Sequence, residues 1–349
     1  GEGIIIRHGG GLVTITFDNY KVYSDTLTRS TPTALSAARE CLAGASVGDY
    51  ALFAGGCTDV CSAVVDAYTT NLIRSTPTAL SVARDGLAGA SIGDYALFAG
   101  GSYSAVVDAY DTDLTRSTPT ALSLARYDLA GASVGNYALF AGGYAGSYSS
   151  VVDAYDTNLI RTKPTALSAA RYNLAGASVG EYALFAGGYT GSASSVVDAY
   201  TTNLTRTTPT ALSVARDGLA GASIGDYALF AGGSTPSYSS VVDAYDTDLT
   251  RTTPTALSAA RQDLAGASVG DYALFAGGWT GSAYSSVVDA YDSDLTRSKP
   301  TALSAARDWL AGASVGDYAL FAGGDTGSYS SVVDAYTNVV LSTYLPITA

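Results

Sequence analysis

Residues 87–101, LAGASIGDYALFAGG, contain the clearest structural signal in this chain. Its small residues 87–92 predict a first strand, and Gly93-Asp94 predicts a two-residue hairpin turn, with the glycine supplying the positive φ. The apolar run at residues 95–99 predicts a second, fully buried strand, which Gly100-Gly101 ends. The stretch therefore predicts a tight antiparallel hairpin.

The same hairpin recurs along the whole chain. The segment Ala-Leu-Phe-Ala-Gly-Gly begins at Ala51, Ala96, Ala138, Ala183, Ala228, Ala273 and Ala319, with spacings of 45, 42, 45, 45, 45 and 46 residues. Periods near 45 with strand-like content are typical of propellers and β-solenoids. A unit this long exceeds one coil of a β-helix and suits a four-stranded blade.

The rest of each unit supplies two more strands. Residues 105–110 predict a third strand, Asp111-Thr112-Asp113 a turn, and residues 114–122 a fourth strand that contains Pro119. Proline cannot donate a ladder hydrogen bond, so this strand is predicted at the outer edge of the blade. The first strand is predicted nearest the axis, where small residues fit. We therefore predict an all-β, seven-bladed propeller with four-stranded antiparallel blades.

The repeat resembles the kelch repeat. Leu139-Phe140-Ala141-Gly142-Gly143 is followed by a strand ending in Tyr155-Asp156, and Arg171 precedes the next inner strand. The resemblance covers residues 20 to 336, and the chain is also similar to bacterial and prophage-encoded propellers. It departs from the kelch pattern where a Trp usually follows the Tyr, since leucines such as Leu159 stand there. The resemblance implies kelch-like blades.

Counting strands predicts how the ring closes. The last unit lacks its own outer strand, whereas the N-terminus has a spare one. An N-terminal strand that completes the last blade would remove an open sheet edge. Within a single propeller domain, residues 1–349, we predict an N-terminal extension at 1–21, a closing outer strand at 22–36, six complete blades at 42–309, the inner three strands of the last blade at 310–336, and a tail at 337–349.

The N-terminal extension carries two further strand-like segments, Ile4-Ile5-Ile6 and residues 13–17. They are expected to pair with the tail at residues 339–347, or to join the propeller to a neighbouring domain or subunit.

Charge limits the classes of partner. The net charge is −13, and fourteen of the fifteen arginines occupy two fixed positions of the repeat. A nucleic-acid-binding protein needs a basic stripe, which this pattern does not supply. No run approaches the roughly 20 apolar residues that span a bilayer. We expect neither nucleic-acid binding nor membrane insertion.

The copies differ at two places, the pair of residues after the inner arginine and the loop after Gly-Gly. In a four-stranded meander both connections lie at the same end. Aromatic and small polar residues there suit binding loops on a rigid scaffold, whereas neutral drift of tolerant loops is the alternative explanation. The candidate ligand-binding residues are Tyr103, Tyr127, Tyr144, Tyr172, Tyr189, Trp279, Asp308, Trp309 and Asp325.

Few residues of the chain could act as catalytic side chains. The only histidine, His8, lies outside the repeat and is expected to be a solvated terminal residue. A catalytic triad with histidine inside the propeller is therefore excluded, and the histidines of the copper-radical oxidases built on kelch propellers are missing. We expect no catalytic residues, no cofactor and no enzyme activity.

The carboxylates are numerous but periodic. In the third strand they are expected to pair with a repeated arginine or with backbone amides. In the hairpin turn, Asn136 and Glu181 replace the aspartate of other copies, which argues against a seven-fold metal ring. A weak calcium site is left open. The third-strand acids are Asp108, Asp153, Asp198, Asp243 and Asp289.

Three cysteines, Cys41, Cys57 and Cys61, fall on the variable end of one blade. A disulfide among them is one expectation if the protein is extracellular. Free thiols are another, and a zinc site would need a fourth ligand.

Two functional hypotheses follow. The first is a recognition or adhesion module, extracellular or virion-associated, that binds a glycan or protein through the diversified loops on a phage tail, virion or bacterial surface. The second is a structural scaffold or spacer that assembles with other subunits through its terminal strands.

Overall fold

Seven short sheets are arranged in a ring. The computed structural model describes residues 19–346 of the 349-residue chain, and side chains for residues 26–338. Every regular element in that part is a β-strand, so no helix there could cross a membrane. Seven four-stranded antiparallel sheets follow one another, and the inner strand of the first contacts the inner strand of the last. The fold is a seven-bladed β-propeller.

The blades are numbered in chain order of their inner strands. Blade 1 contains β2 (Ala43–Val47), β3 (Tyr50–Ala54), β4 (Val65–Thr69) and β5 (Arg74–Ser75); blade 2 contains β6 (Ala88–Ile92), β7 (Tyr95–Ala99), β8 (Val107–Asp111) and β9 (Arg116–Ser117); blade 3 contains β10 (Ala130–Val134), β11 (Tyr137–Ala141), β12 (Val152–Asp156) and β13 (Arg161–Thr162); blade 4 contains β14 (Ala175–Val179), β15 (Tyr182–Ala186), β16 (Val197–Thr201) and β17 (Arg206–Thr207). Blade 5 contains β18 (Ala220–Ile224), β19 (Tyr227–Ala231), β22 (Val242–Asp246) and β23 (Arg251–Thr252), with a small hairpin of β20 (Ser234–Thr235) and β21 (Ser237–Tyr238) in its loop; blade 6 contains β24 (Ala265–Val269), β25 (Tyr272–Ala276), β26 (Val288–Tyr291) and β27 (Arg297–Ser298); blade 7 contains β28 (Ala311–Val315), β29 (Tyr318–Ala322), β30 (Val333–Pro346) and β1 (Asn19–Ser30).

The second strand of each blade is buried on both faces. In β11, Ala138 and Phe140 pack in the layer shared with blade 2. Leu139 and Ala141 pack in the layer shared with blade 4. Alternate residues of a strand point to opposite faces, so one short run contributes to two core layers. This explains why the run is continuously apolar.

The inner strands are in contact at their glycines. A Cβ built on Gly176 of β14 would overlap the carbonyl oxygen of Gly131 in β10, and the same relation holds from blade to blade around the ring. The same contact joins the first blade to the last, since a Cβ on Gly44 would overlap the carbonyl oxygen of Gly312. Only glycine permits this approach of two backbones.

Serines two residues after these glycines link the inner strands by hydrogen bonds. The Ser178 hydroxyl donates to the Ser133 carbonyl at 2.6 Å, and the Ser178 amide donates to the Ser223 hydroxyl at 2.9 Å. The Ser46 hydroxyl donates to the Ser314 carbonyl at 2.5 Å, between the first and last blades. These bonds stabilise the ring where adjacent inner strands share no ladder.

A buried ion pair fixes each linker to its blade. In blade 4, Arg171 and Asp198 are fully buried with 2.8 Å between Nη1 and Oδ2. Arg171 also donates to the Phe185 carbonyl at 3.0 Å, and the Ser168 amide donates to Asp198 at 3.0 Å. Arg206 of β17 lies 3.8 Å from the same carboxylate. The predicted pairing of the periodic aspartates is confirmed. The seven buried pairs are Arg39–Asp66, Arg84–Asp108, Arg126–Asp153, Arg171–Asp198, Arg216–Asp243, Arg261–Asp289 and Arg307–Asp334.

The outer strands are much shorter than the sequence predicts. In blade 2 only Arg116 and Ser117 pair with β8, whereas residues 114–122 were expected to form a strand. Leu114 lies in the preceding turn with a φ of 61°. Pro119 follows the strand because it has no N–H to continue the ladder, and the chain there becomes the linker to the next blade.

An N-terminal strand closes the last blade, as predicted. Blade 7 has the order β1, β30, β29, β28, and Arg29 lies 3.3 Å from Asp334, the counterpart of Arg206 and Asp198 in blade 4. The bounds differ from the expected 22–36, because β1 ends at Ser30 and residues 31–36 form the linker. The expected tail from residue 337 begins as a continuation of β30.

Two compact units are present, residues 27–338, and residues 1–26 together with residues 339–349. The strand-like segments expected at residues 4–6 and 13–17, and His8, lie outside the described residues.

Removal of one buried carboxylate tests the ion pairs. We expect Asp198→Ala to lower the free energy of unfolding by about 3–5 kcal/mol, because Arg171 would stay buried without a counter-charge. Arg206→Met is the matched control and should cost about 1 kcal/mol or less, since Arg206 is partly exposed and farther from the carboxylate. Urea denaturation measures both, and equal losses would contradict the assignment.

Candidate functional site

The two variable places of the repeat lie on one rim and are bonded to each other. In blade 3 the Tyr127 amide donates to the Tyr144 carbonyl at 3.1 Å, and the Tyr144 amide donates back at 2.8 Å. The first residue after the inner arginine thus faces the first residue after Gly-Gly. This confirms that both places share an end of the propeller, called here the variable rim. The same pairing joins Glu40 to Cys57, Tyr172 to Tyr189, Asp217 to Ser234, Gln262 to Trp279, and Asp308 to Asp325.

The second residue of each variable pair belongs to a closed ring of hydrogen bonds. The Asn173 amide donates to the Asp128 carbonyl at 3.0 Å, and the series continues through every blade until the Cys41 amide donates to the Trp309 carbonyl at 3.1 Å. All seven residues have φ between 50° and 61°. The members, in ring order, are Cys41, Gly86, Asp128, Asn173, Gly218, Asp263 and Trp309.

This backbone conformation explains much of the variation at that position. Gly, Asn and Asp are the residues that tolerate positive φ, and they occupy all ring positions except Cys41 and Trp309. From the sequence, diversified recognition and neutral drift were the two explanations for the variation at this position. The structure shows a steric restriction instead, and it marks Trp309 as a bulky residue held in a disfavoured conformation.

Five of the predicted residues form a continuous tyrosine array across blades 2 to 4. Ring centroids lie 4.7 Å apart between Tyr103 and Tyr127, 5.6 Å between Tyr127 and Tyr144, and 5.8 Å between Tyr172 and Tyr189. A sixth member, Tyr148, stacks on Tyr172 at 5.6 Å with 10° between the ring planes. The tyrosine array comprises Tyr103, Tyr127, Tyr144, Tyr148, Tyr172 and Tyr189.

Sequence reasoning missed Tyr148. The signal was present, because a tyrosine stands before the paired serines of the same loop in other blades, as in Tyr238, Tyr284 and Tyr329. Each of these loops turns back on itself, so that Tyr148 pairs with Tyr144 and Tyr284 with Trp279. The loops of blades 3 and 6 therefore each present two paired aromatic side chains.

The remaining predicted residues, Trp279, Asp308, Trp309 and Asp325, lie on another part of the rim, in blades 6 and 7. Trp279 and Tyr284 meet edge to face at 5.0 Å, and the Tyr284 hydroxyl donates to Asp325 at 2.8 Å. A cavity of about 330 Å³, called here the tryptophan pocket, is lined by Tyr238, Gln262, Asp263, Trp279, Tyr284, Asp308 and Trp309. The nine predicted residues are thus divided between two surfaces.

Three carboxylates of the variable rim, those of Asp128, Asp263 and Asp308, have raised pKa values. Burial, with a smaller contribution from Asp85, raises the pKa of Asp128 to about 6. Burial, and then neighbouring carboxylates, raise the pKa of Asp263 to about 7 and of Asp308 to about 7. For Asp308 the neighbours are Asp325 and Glu40. Ionisation of these three carboxyl groups is therefore costly in the folded protein.

The cysteines are close together as free thiols. A carboxylate oxygen of Glu40 and the Sγ atoms of Cys41 and Cys57 lie within 4.8 Å of one another, and within residues 26–338 this is the one group that could hold a metal ion. Cys61 Sγ lies 3.6 Å from a carboxylate oxygen of Asp85. Burial, and then the neighbouring carboxylates, raise the pKa of Cys57 to about 12, so its reactive thiolate is disfavoured.

Comparison with known proteins supports the fold. No protein-family profile matches the sequence, and no curated protein matches it. Many solved structures match. Among them, "Structure of YjhT" matches with a TM-score of 0.59 at 15% identity, covering 76% of this chain and 98% of the other. At that identity the likeness shows a shared β-propeller fold.

The raised pKa of Asp263 makes stability pH-dependent. Its pKa in the unfolded chain is about 4, so between about pH 4 and 7 the folded state holds the extra proton and stability falls as the pH rises. We expect Asp263→Asn to stabilise the protein at pH 8 by about 1–2 kcal/mol and to change little at pH 4. Urea denaturation at the two pH values measures this.

The mirror variant is Asn173→Asp, which adds a carboxylate to the same ring. It should destabilise the protein more at pH 8 than at pH 4. A pH-independent effect of both substitutions would contradict the electrostatic explanation.

Proposed function

We propose that this chain is a non-catalytic recognition or adhesion module of the kelch type, which binds a protein or glycan through its variable rim. The observation that carries the proposal is the tyrosine array, six rings in contact across three blades. Nucleic-acid binding and membrane insertion have no part in it.

The physical argument rests on area and rigidity. Tyrosine offers a large contact surface and a polar hydroxyl at low cost in side-chain entropy. Tyr103 is 58% exposed and Tyr148 is 36% exposed, so the array is open to solvent. Its backbone is held by paired hydrogen bonds above closely packed blades. A pre-ordered aromatic surface of this kind loses little freedom when a ligand binds.

The distribution of tyrosines favours recognition over neutral drift. Drift would scatter aromatic residues independently among the loops. Here Tyr144 contacts Tyr127 of its own blade and Tyr172 of the next, at 5.6 and 5.8 Å. The opposite rim, with its Gly-Asp and Asp-Thr-Asp turns, keeps almost the same residues in every copy. An extracellular or virion-associated location, on a phage tail or a bacterial surface, accords with such a function.

The test is a binding survey with a printed glycan array and an immobilised library of random peptides. We expect at least one class of ligand to bind the wild-type protein, and the double variant Tyr103→Ser/Tyr144→Ser to lose at least about tenfold in affinity, because two of the six rings are removed, the exposed Tyr103 and the central Tyr144.

The matched control is Asp94→Asn/Asp111→Asn, which changes the opposite rim and should leave binding unchanged. Absence of binding to both arrays, or binding that the tyrosine variants retain, would contradict the proposal.

A structural scaffold is the second candidate, and one observation favours it. β1 and β30 are 12 and 14 residues long, whereas the outer and third strands of blade 4 have 2 and 5 residues. Assembly through these strands predicts a stable oligomer in sedimentation velocity that the tyrosine variants do not disturb.

A further inference from the structure

We infer that the tryptophan pocket binds an organic cation, the ammonium or guanidinium group of a basic side chain or a free quaternary ammonium ion. The inference rests on the proposed recognition function and names the ligand chemistry of one part of the variable rim. It is carried by aromatic walls around a buried carboxylate, one oxygen of which has no hydrogen-bond partner among the described residues.

The walls of the pocket are aromatic. Trp279 and Tyr284 meet edge to face at 5.0 Å, and Trp309 and Tyr238 complete the lining with 37% and 36% of their surfaces exposed. The faces of such rings attract cations, with tryptophan the strongest. A volume of about 330 Å³ lies at the lower end of the range for small-ligand pockets, which suits a group the size of a side-chain terminus.

Asp308 gives the pocket its charge. It is only 6% exposed, and among the described residues no group hydrogen-bonds to its Oδ1 atom. The other carboxylates have donors, since Gln262 donates to Asp263 at 2.7 Å and Tyr284 donates to Asp325 at 2.8 Å. A buried acceptor without a partner is costly. An ammonium or guanidinium group would supply the missing donor, and a quaternary ammonium ion, which has no N–H, would pair with the carboxylate by charge alone.

The protein does not neutralise this charge itself. The nearest arginines along the chain, Arg261 and Arg307, are fully buried in pairs with Asp289 and Asp334. Asp308 faces Asp325 and Glu40, while Asp263 faces Asp308, Asp217 and Asp128. Burial and these neighbours raise the pKa of Asp308 to about 7. A cation in the pocket would relieve this repulsion.

The spacing of the ligand atoms argues against a metal ion. Calcium takes six to eight oxygens at about 2.3–2.6 Å. Within residues 26–338 the carboxylates of the pocket form no group of three whose oxygens lie within 4.8 Å of one another. Aromatic walls also offer no ligand to calcium, whereas they stabilise a larger, weakly hydrated organic cation.

Calorimetric titration with four probes tests the inference: tetramethylammonium, Nα-acetyl-lysine methylamide, Nα-acetyl-arginine methylamide, and neutral 3,3-dimethylbutan-1-ol. We expect at least one cation to bind at least about tenfold more tightly than the neutral alcohol, because only a cation pairs with Asp308. Binding of tetramethylammonium alone would indicate a free quaternary ammonium ligand, and binding of the amino-acid derivatives a basic segment of a protein. Equal binding of the alcohol, or no binding of any cation, would overturn the inference.

Two variants locate the site. Asp308→Asn keeps the shape of the side chain and removes its charge, and we expect it to weaken cation binding at least about tenfold. Trp309→Asn removes one aromatic wall while placing a residue that tolerates positive φ. It should weaken binding similarly in a protein at least as stable as the wild type, so that misfolding cannot explain the loss. Unchanged affinity in both variants would overturn the inference.

The pH dependence provides a further readout. Cation affinity should rise several-fold between pH 6 and pH 8 in the wild type, as Asp308 and Asp263 ionise. A flat profile would contradict the role of these carboxylates.

Failure of this inference can be distinguished from failure of the proposed function. Tyr103→Ser/Tyr144→Ser changes the tyrosine array alone and should leave cation binding unchanged. If the array binds its ligand while no probe enters the pocket, only the cation site is wrong.

Discussion

The contact between backbones at the propeller axis is the constraint on which the rest of the structure depends. Each inner strand lies so close to the next that the glycine in its centre has no room for a Cβ atom. Seven such contacts close the ring between Gly44 and Gly312. The serine hydrogen bonds beside them, such as that from Ser178 to Ser133, stabilise the same approach. Closure then brings the variable loops of all blades to one rim.

The buried ion pairs stabilise the blades and also shape the charge of the rim. Each inner arginine forms an ion pair with one aspartate, as Arg171 does with Asp198, and each outer-strand arginine lies near the same carboxylate. These positions account for fourteen of the fifteen arginines in the chain. Among the described residues no arginine pairs with the rim acids Asp128, Asp263 and Asp308. Burial raises the pKa values of these acids, and neighbouring carboxylates raise them further. A scaffold requirement thus leaves the variable rim negatively charged.

Near-identical blades make the variable rim unusual within the molecule. The strands repeat almost unchanged, yet the same two rim positions carry stacked tyrosines over blades 2 to 4 and an acidic aromatic pocket over blades 5 to 7. Both surfaces stand on backbone fixed by the ring of hydrogen bonds through residues such as Asp128 and Trp309. The scaffold supplies rigidity, and a few substitutions on it give chemically distinct surfaces.

The repeat and its spacing were enough to predict the number of blades, the hairpin of each inner pair of strands, the closing N-terminal strand, the pairing of the periodic aspartates, and the location of both variable places at one end. These features repeat with the unit or depend on neighbours in the chain. Three-dimensional packing was needed to show that Pro119 follows a two-residue outer strand, that the ring residues have positive φ, and that Tyr148 belongs to the array. It also decided which rim residues share a pocket, because Tyr238 and Asp308 come from different blades. Such contacts depend on the distance between blades around the axis, which no spacing along the chain encodes.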